Sequence, residues 1–357
     1  QHNLELFKYI KDRTNCKILL ATKAYSCFST YPLIATVLDG TANSSLHECR
    51  LSHETFGKQT HIYSPAYCES SFNEITSYAN CIVFNSVSQL TKFSKNVPKK
   101  TDLGIRLNPE HVEVDNKLYS PCVPGSRFGV LAQDLTLTDC KNISGFHIHA
   151  LCQNTDESLI RLMDATEQKF KEHLELAHIK WVNFGGGHLI PSKNYNKDRL
   201  INTINEFQKK YNVTVILEPG EAVVYNAGVL VAKVLDIVNN KLDIAILNTS
   251  ATAHMPDVLE MPYSPDIVNG FDKNVKKYTY RLGGNTCLSG DIIGEYSFET
   301  PLQIGDELTF KDMAQYTMVK NTTFNGINLP SIYIQKKDKS LVKLKSFGYN
   351  DFKQRLS

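Results

Sequence analysis

Eight short apolar runs, alternating with helical segments, limit most what this sequence can fold into. The runs are "KILLAT" (17–22), "GTANSS" (40–45), "KQTHIY" (58–63), "CIVFNS" (81–86), "LGIRLN" (103–108), "GFHIHA" (145–150), "KWVNFGG" (180–186) and "VTVILEP" (213–219). Most are β-branched or aromatic and bounded by Gly, Asn or Pro, as strands are. "GTANSS" is too polar to read as a strand by itself. Between the runs lie amphipathic segments. The clearest, 156–177, places Leu159, Leu162, Met163, Phe170 and Leu174 largely on one side. Strand and helix in alternation imply parallel strands with crossover helices. Eight such units predict a closed (β/α)8 barrel over residues 1–227. From 228 to 357 the rhythm changes. "GVLVAKVLDIVNNKLDIAILNTSA" reads as two strands joined by a turn at Asn239-Asn240, and β-like segments continue to the end. The expected fold is an α/β barrel followed by an all-β C-terminal domain.

Composition narrows the class of function. The chain has 357 residues and is 42% hydrophobic, enough for a sizeable core. With 39 basic and 37 acidic residues, the charge balance gives no basis for a nucleic-acid or anionic-membrane partner. No apolar run reaches the roughly 18 residues of a membrane span. The nine cysteines are scattered and form no C-x-x-C pair, which predicts reduced thiols and a cytoplasmic protein. There is no H-E-x-x-H and no paired Cys/His set, so no metal site is expected.

Reactive groups of a barrel stand at the C-terminal ends of its strands. The first run ends at Lys23 and the fifth at Arg106. The sixth carries His147 and His149, the seventh Gly185, Gly186 and Gly187, and the eighth Glu218-Pro219-Gly220. Each has a structural reading when taken alone. A strand-end lysine reaches solvent, a strand histidine is a hydrogen-bonded core residue, and Gly or Pro clusters are turns. Together they describe something narrower. Three glycines let backbone N–H groups approach an anion such as phosphate. An amine can form a Schiff base with an aldehyde. A carboxylate can hold a ring nitrogen protonated, and an imidazole can stack on an aromatic ring. Phosphate, aldehyde, pyridine nitrogen and ring face specify pyridoxal 5′-phosphate.

At this point the chain resembles a known family, the alanine-racemase-like (fold-type III) pyridoxal-phosphate decarboxylases, which include those for ornithine, arginine and diaminopimelate. The motifs that carry the resemblance are "ATKAYS", "GFHIHALC", "NFGGG", "LEPGE", "NTCLSGD" and "DMAQYT". They stand in family order and span Lys23 to Tyr316. "FGGGH", "LEPGEA", "AHMPDVLEMPY" and "TCLSGD" are most similar to the branch acting on carboxylated polyamines.

The resemblance implies a carboxy-lyase and a role for each matching residue. Lys23 would carry the cofactor, His147 would stack on its ring, and Glu218 would pair with the pyridine nitrogen. Gly185, Gly186, Gly187, Gly220 and Tyr316 would hold the phosphate, and Arg106 would support the site. In the family the active sites lie at a homodimer interface. There Cys287 would return a proton to the substrate carbon and Asp291 would recognise the distal amine. His254 and Asp257 are further candidates for binding substrate amines. Two departures stand out. The strand that precedes the lysine strand in relatives is missing, so either the β domain lacks one strand or the chain is trimmed at its N-terminus. Glu221 stands where many relatives have an arginine after Glu-Pro-Gly, which argues against a diaminopimelate substrate. The alternatives are another decarboxylase of this fold, for diaminopimelate, ornithine or arginine, and a non-catalytic cofactor-binding homologue.

Overall fold

In this computed structural model, residues 1–113 and 120–357 are described. The chain divides into two compact units, Gln1–Val223 and Val224–Ser357.

The first unit is a closed barrel of eight parallel strands in sequential order. The strands are β1 (Lys17–Ala21), β2 (Gly40–Asn43), β3 (Gln59–Tyr63), β4 (Cys81–Phe84), β5 (Asp102–Arg106), β6 (Gly145–His147), β7 (Trp181–Asn183) and β8 (Thr214–Leu217). Each corresponds to one of the eight runs. Helix α1 (His2–Thr14) leads into β1. Helices α2 (Tyr31–Ile34), α3 (Leu46–Thr55), α4 (Glu69–Tyr78), α5 (Val87–Phe93), α6 (Asp156–Leu174) and α7 (Lys197–Tyr211) follow along the chain, and the short α8 (Glu221–Val224) ends the unit.

The strands are apolar on both faces because both are covered. One parity looks outward: Phe84 packs on Phe72 of α4, Phe146 on His173 of α6, and Phe184 on Phe207 of α7. The other parity fills the interior, where Leu19, Cys81, Val83, Trp181 and Ile216 form one cluster with Ala42 and Tyr63 against it. Trp181, the one tryptophan of the chain, takes the floor of the barrel. It fits because its neighbours are glycines. A Cβ on Gly104 would lie 2.4 Å from the indole, and one on Gly145 2.1 Å. The polar second run is a strand because its polar groups are paired. Asn43 donates to the His61 carbonyl at 2.8 Å and accepts from Ser52 Oγ at 2.7 Å.

The second unit holds a six-stranded sheet made of β9 (Val229–Asn239), β10 (Asp243–Leu247), β11 (Phe271–Asp272), β12 (Tyr278–Gly283), β13 (Ile292–Phe298) and β14 (Glu307–Lys311). Their order is β11-β13-β12-β10-β9-β14. Its core includes Ala232, Val234, Leu247, Leu282, Ile293 and Phe310. A separate hairpin, β15 (Ile332–Gln335) and β16 (Leu341–Lys345), forms a two-stranded sheet, with no further strand beside it among the described residues. Tyr333, Leu341, Val342 and Leu344 on it are exposed.

Candidate active site

Parity delivers the polar residues to one end of the barrel. Continuing each inward row past its strand gives Lys23 after β1, Tyr63 on β3, Arg106 on β5, His147 and then His149 on β6, Asn183 on β7 and Glu218 after β8. The chain turns sharply after β1, with Ala24 N–H donating to the Ala21 carbonyl at 3.2 Å. Thr22 fixes that turn. Its hydroxyl lies within 3.0–3.1 Å of the Ala42 carbonyl, Asn43 Oδ1 and Glu48 Oε2. Glu48 in turn accepts from Ser44 N–H at 2.7 Å, at the start of α3.

Glu218 is the anion of the site. Its Oε1 accepts from Asn183 Nδ2 at 2.6 Å, and its Oε2 lies 3.2 Å from His147 Nε2. Burial pushes the carboxyl up, but His147 and Asn183 outweigh it and hold it down at about 2. His147 is 2% exposed, and burial keeps its pKa below 6.5 although Glu218 opposes this. At neutral pH it is therefore the neutral ring, donating from Nε2 and leaving Nδ1 bare. Nδ1 has no partner among the described residues. One face of the ring stacks on Tyr63, with centroids 5.2 Å apart and planes 17° apart. Arg106 lies between Tyr63 and Phe128, 4.6 Å from each ring centroid, and donates to the His149 carbonyl at 2.9 Å. Solvent reaches Lys23, but the surrounding mouth removes much of the water its charge would need. That desolvation, with Arg106 adding like charge, holds the amine below 10.5.

Packing by itself demands glycine in the triplet. Gly185 and Gly187 have φ of 68° and 87°, where a side chain is strained. A Cβ on Gly186 would meet the Glu218 carbonyl at 2.3 Å, and one on Gly187 the Leu151 carbonyl at 2.0 Å. Two of the expected phosphate donors are already engaged. Gly185 N–H donates to Asn183 Oδ1 at 2.8 Å and Gly186 N–H to His149 Nδ1 at 3.0 Å. Both bonds fix the shape of the turn that Gly187 completes, and Gly220 stands in the turn ahead of α8.

The remaining candidates belong to the second unit. Cys287 is exposed, in the loop between β12 and β13, and its N–H donates to Asn325 Oδ1 at 2.7 Å. Asp291, expected to meet a distal amine, is 3% exposed. It accepts from Thr286 Oγ1 at 2.6 Å, Ser250 Oγ at 2.9 Å, and the N–H groups of Thr286 and Thr252, both at 3.3 Å. Three of these donors crowd Oδ2 and only Thr252 N–H meets Oδ1, so Oδ1 keeps an acceptor site open. Asp257 is paired with Lys320. His254 is 2% exposed, with Nδ1 3.0 Å from Thr249 Oγ1. Tyr316 is half-buried, at φ 51°. Sequence reasoning gave no role to Tyr63, Asn183 or His149, yet inward parity at a strand end marks all three.

The first unit's residues fit pyridoxal phosphate. Glu218 is ionised, two of its roughly four acceptor sites are open, and the Lys23 amine stands at the same mouth. Among the described residues no group of His, Cys, Asp and Glu could hold a metal ion.

Comparison with known proteins agrees. The family model for "Pyridoxal-dependent decarboxylase, C-terminal sheet domain" matches residues 24–314. A carboxynorspermidine/carboxyspermidine decarboxylase of Campylobacter jejuni is 40% identical, with 99% of this chain and 94% of that protein aligned. A carboxyaminopropylagmatine decarboxylase of Synechocystis sp. is 39% identical, over 100% of this chain and 92% of that protein. A crystal structure of carboxynorspermidine decarboxylase from Campylobacter jejuni, complexed with norspermidine, superposes with a TM-score of 0.91 at 39% identity. That match covers 99% of this chain and 96% of the other.

Proposed function

This chain belongs to the pyridoxal-dependent decarboxylases, and from that premise we propose that its substrate is carboxynorspermidine or carboxyspermidine, converted to norspermidine or spermidine. The carrying observation is one barrel mouth that presents Lys23, Glu218 and His147 together, in a chain alignable end to end with relatives named for carboxylated polyamines. Bound pyridoxal phosphate supplies the electron sink for loss of CO2. In our reading Lys23 holds the cofactor and ionised Glu218 keeps its ring nitrogen protonated. His147, with one face on Tyr63, would stack on the cofactor ring with its other face. Arg106 braces the mouth, and the turn of Gly185, Gly186 and Gly187 would bind the phosphate together with Gly220 and Tyr316. Cys287 returns a proton to the substrate carbon. Asp291 anchors the Cys287 loop through Oδ2, and its Oδ1 is read as the acceptor for the substrate's distal amine.

The active unit in this reading is a homodimer. A lone two-stranded hairpin is marginal in water, and β15–β16 carries exposed apolar side chains, which fits a surface covered by a second copy. A cytoplasmic location fits nine cysteines without a disulfide. Among the described residues, no helix is long and apolar enough to cross a membrane.

A second reading has comparable support. The 39% identity to a carboxyaminopropylagmatine decarboxylase makes a substrate ending in a guanidinium equally compatible with the chain. Purified protein with pyridoxal phosphate, offered both carboxy-polyamines, carboxyaminopropylagmatine, diaminopimelate, ornithine and arginine, separates the readings by CO2 release. Turnover of diaminopimelate, ornithine or arginine alone would overturn the polyamine assignment.

A further inference from the structure

His149 is held at three points. Arg106 donates to its carbonyl, Gly186 N–H donates to its Nδ1, and its Nε2 stands 3.4 Å from Lys23 Nζ. Gly185 leaves room for the ring, since a Cβ there would lie 2.5 Å from Nδ1. A backbone N–H can only donate, so Nδ1 must accept and carries no proton. The single proton of the neutral imidazole is then on Nε2, facing the lysine nitrogen. An ammonium has no lone pair and would meet that N–H as donor against donor. A neutral amine has one lone pair and accepts it.

We propose that His149 is a positioning residue that keeps Lys23 as the neutral amine, the form that attacks an aldehyde. The proposal rests on the reading of Lys23 as the cofactor's lysine. In that step the amine forms the C–N bond and the aldehyde oxygen leaves as water with the two amine protons. A neutral lysine therefore needs no prior proton release, whereas an ammonium does. The surroundings are mixed. Lys23 also faces Arg106 from β5, which disfavours its charge, and Glu218, Cys152 and Glu48, which favour it. His149 faces Lys23, Arg106, His147 and His188, all basic, and burial acts with them to keep it neutral.

The test reads the lysine rather than turnover. The full chain, freed of cofactor, is mixed with pyridoxal phosphate from about pH 6 to about pH 10 and trapped with borohydride at intervals. Label at Lys23 is counted by mass spectrometry. His149→Asn keeps an acceptor near Gly186 N–H but is too short for Lys23, whereas His149→Gln can again reach toward it with an amide N–H. The Asn variant should show a profile midpoint about one pH unit higher and capture at pH 7 about tenfold slower, and the Gln variant should recover part of both. Equal midpoints for wild type and the Asn variant would overturn the proposal. If the Asn variant misfolds, His149→Phe, a ring with no N–H, takes its place and is read by the same two outcomes; a wild-type midpoint at the ordinary 10.5 overturns the proposal in any case. Absence of label at Lys23 in the wild type at every pH would instead sink the cofactor reading. Reductive methylation with formaldehyde then still titrates Lys23 and judges His149 separately.

Discussion

Glu218 is half-buried among groups that keep it ionised, and its negative charge is what its proposed role requires. Glu218→Gln preserves shape and hydrogen bonding to Asn183 but removes the charge. Turnover should fall about 10²–10³-fold while cofactor still loads, measured by CO2 release beside cofactor absorbance. Asp291 gives a contrasting expectation. Asp291→Ala leaves the hydroxyls of Thr286 and Ser250 and two backbone N–H groups without their acceptor, at about 1–3 kcal/mol for each group left buried and unpaired. Urea unfolding followed by circular dichroism should show that loss of stability. A residue acting only on substrate would leave the midpoint unchanged. At this scale the sequence was informative about type and weaker about role. Lys23, His147 and Glu218 were legible because strand ends are where barrels keep their chemistry. The roles of Asn183 and Gly186 were not, because each depends on a partner two to forty residues away: Gly185 N–H and Glu218 for Asn183, and His149 for Gly186. The donors that hold Asp291 Oδ2 were not legible either, because an acidic residue in a motif does not reveal how many donors surround it.

At the scale of elements, the barrel floor is set by one large side chain and two absent ones. Gly104 and Gly145 face Trp181 so closely that a methyl on either would overlap the indole. Gly145→Ala should therefore destabilise the protein by about 1–3 kcal/mol, read as a lower urea midpoint. Trp181→Phe in the same background should recover part of the loss by making room. The strands themselves were legible from apolar runs bounded by turn residues. "GTANSS" was not, because its polar groups are satisfied by Ser52 on α3 and by the β3 backbone, which a local pattern cannot show. The short helices Ala251–His254 and Asp257–Glu260 also escaped, since four residues carry too little periodicity to register.

At the scale of the whole molecule, buried histidines tie stability to pH. Burial lowers His61 and His188 from 6.5 to about 4. Unfolded, each takes up a proton near 6.5; folded, neither does until about 4. Their contribution is fully present above 6.5 and is lost as pH falls toward 4, at roughly 1.4 kcal/mol per pH unit for each histidine. Urea midpoints by circular dichroism should fall from pH 7 to pH 5, and His61→Gln should flatten that slope. The exposed hairpin predicts a concentration-dependent dimer. Leu341→Lys with Leu344→Lys should shift sedimentation toward monomer while leaving the barrel's dichroism in place; an unchanged dimer would show that the contact lies elsewhere. The change of rhythm near residue 228 was legible because helical periodicity gives way to alternation.

Trp181 has one more consequence. It is the sole indole in 357 residues, and it lies in the first unit. Excited at the red edge of protein absorption, the molecule emits from a single place. Its emission therefore follows the melting of the barrel and is blind to the second unit, whereas the far-ultraviolet dichroism sums both. The two curves superimpose only where the units melt as one. Any separation between them measures how far the units hold themselves together independently.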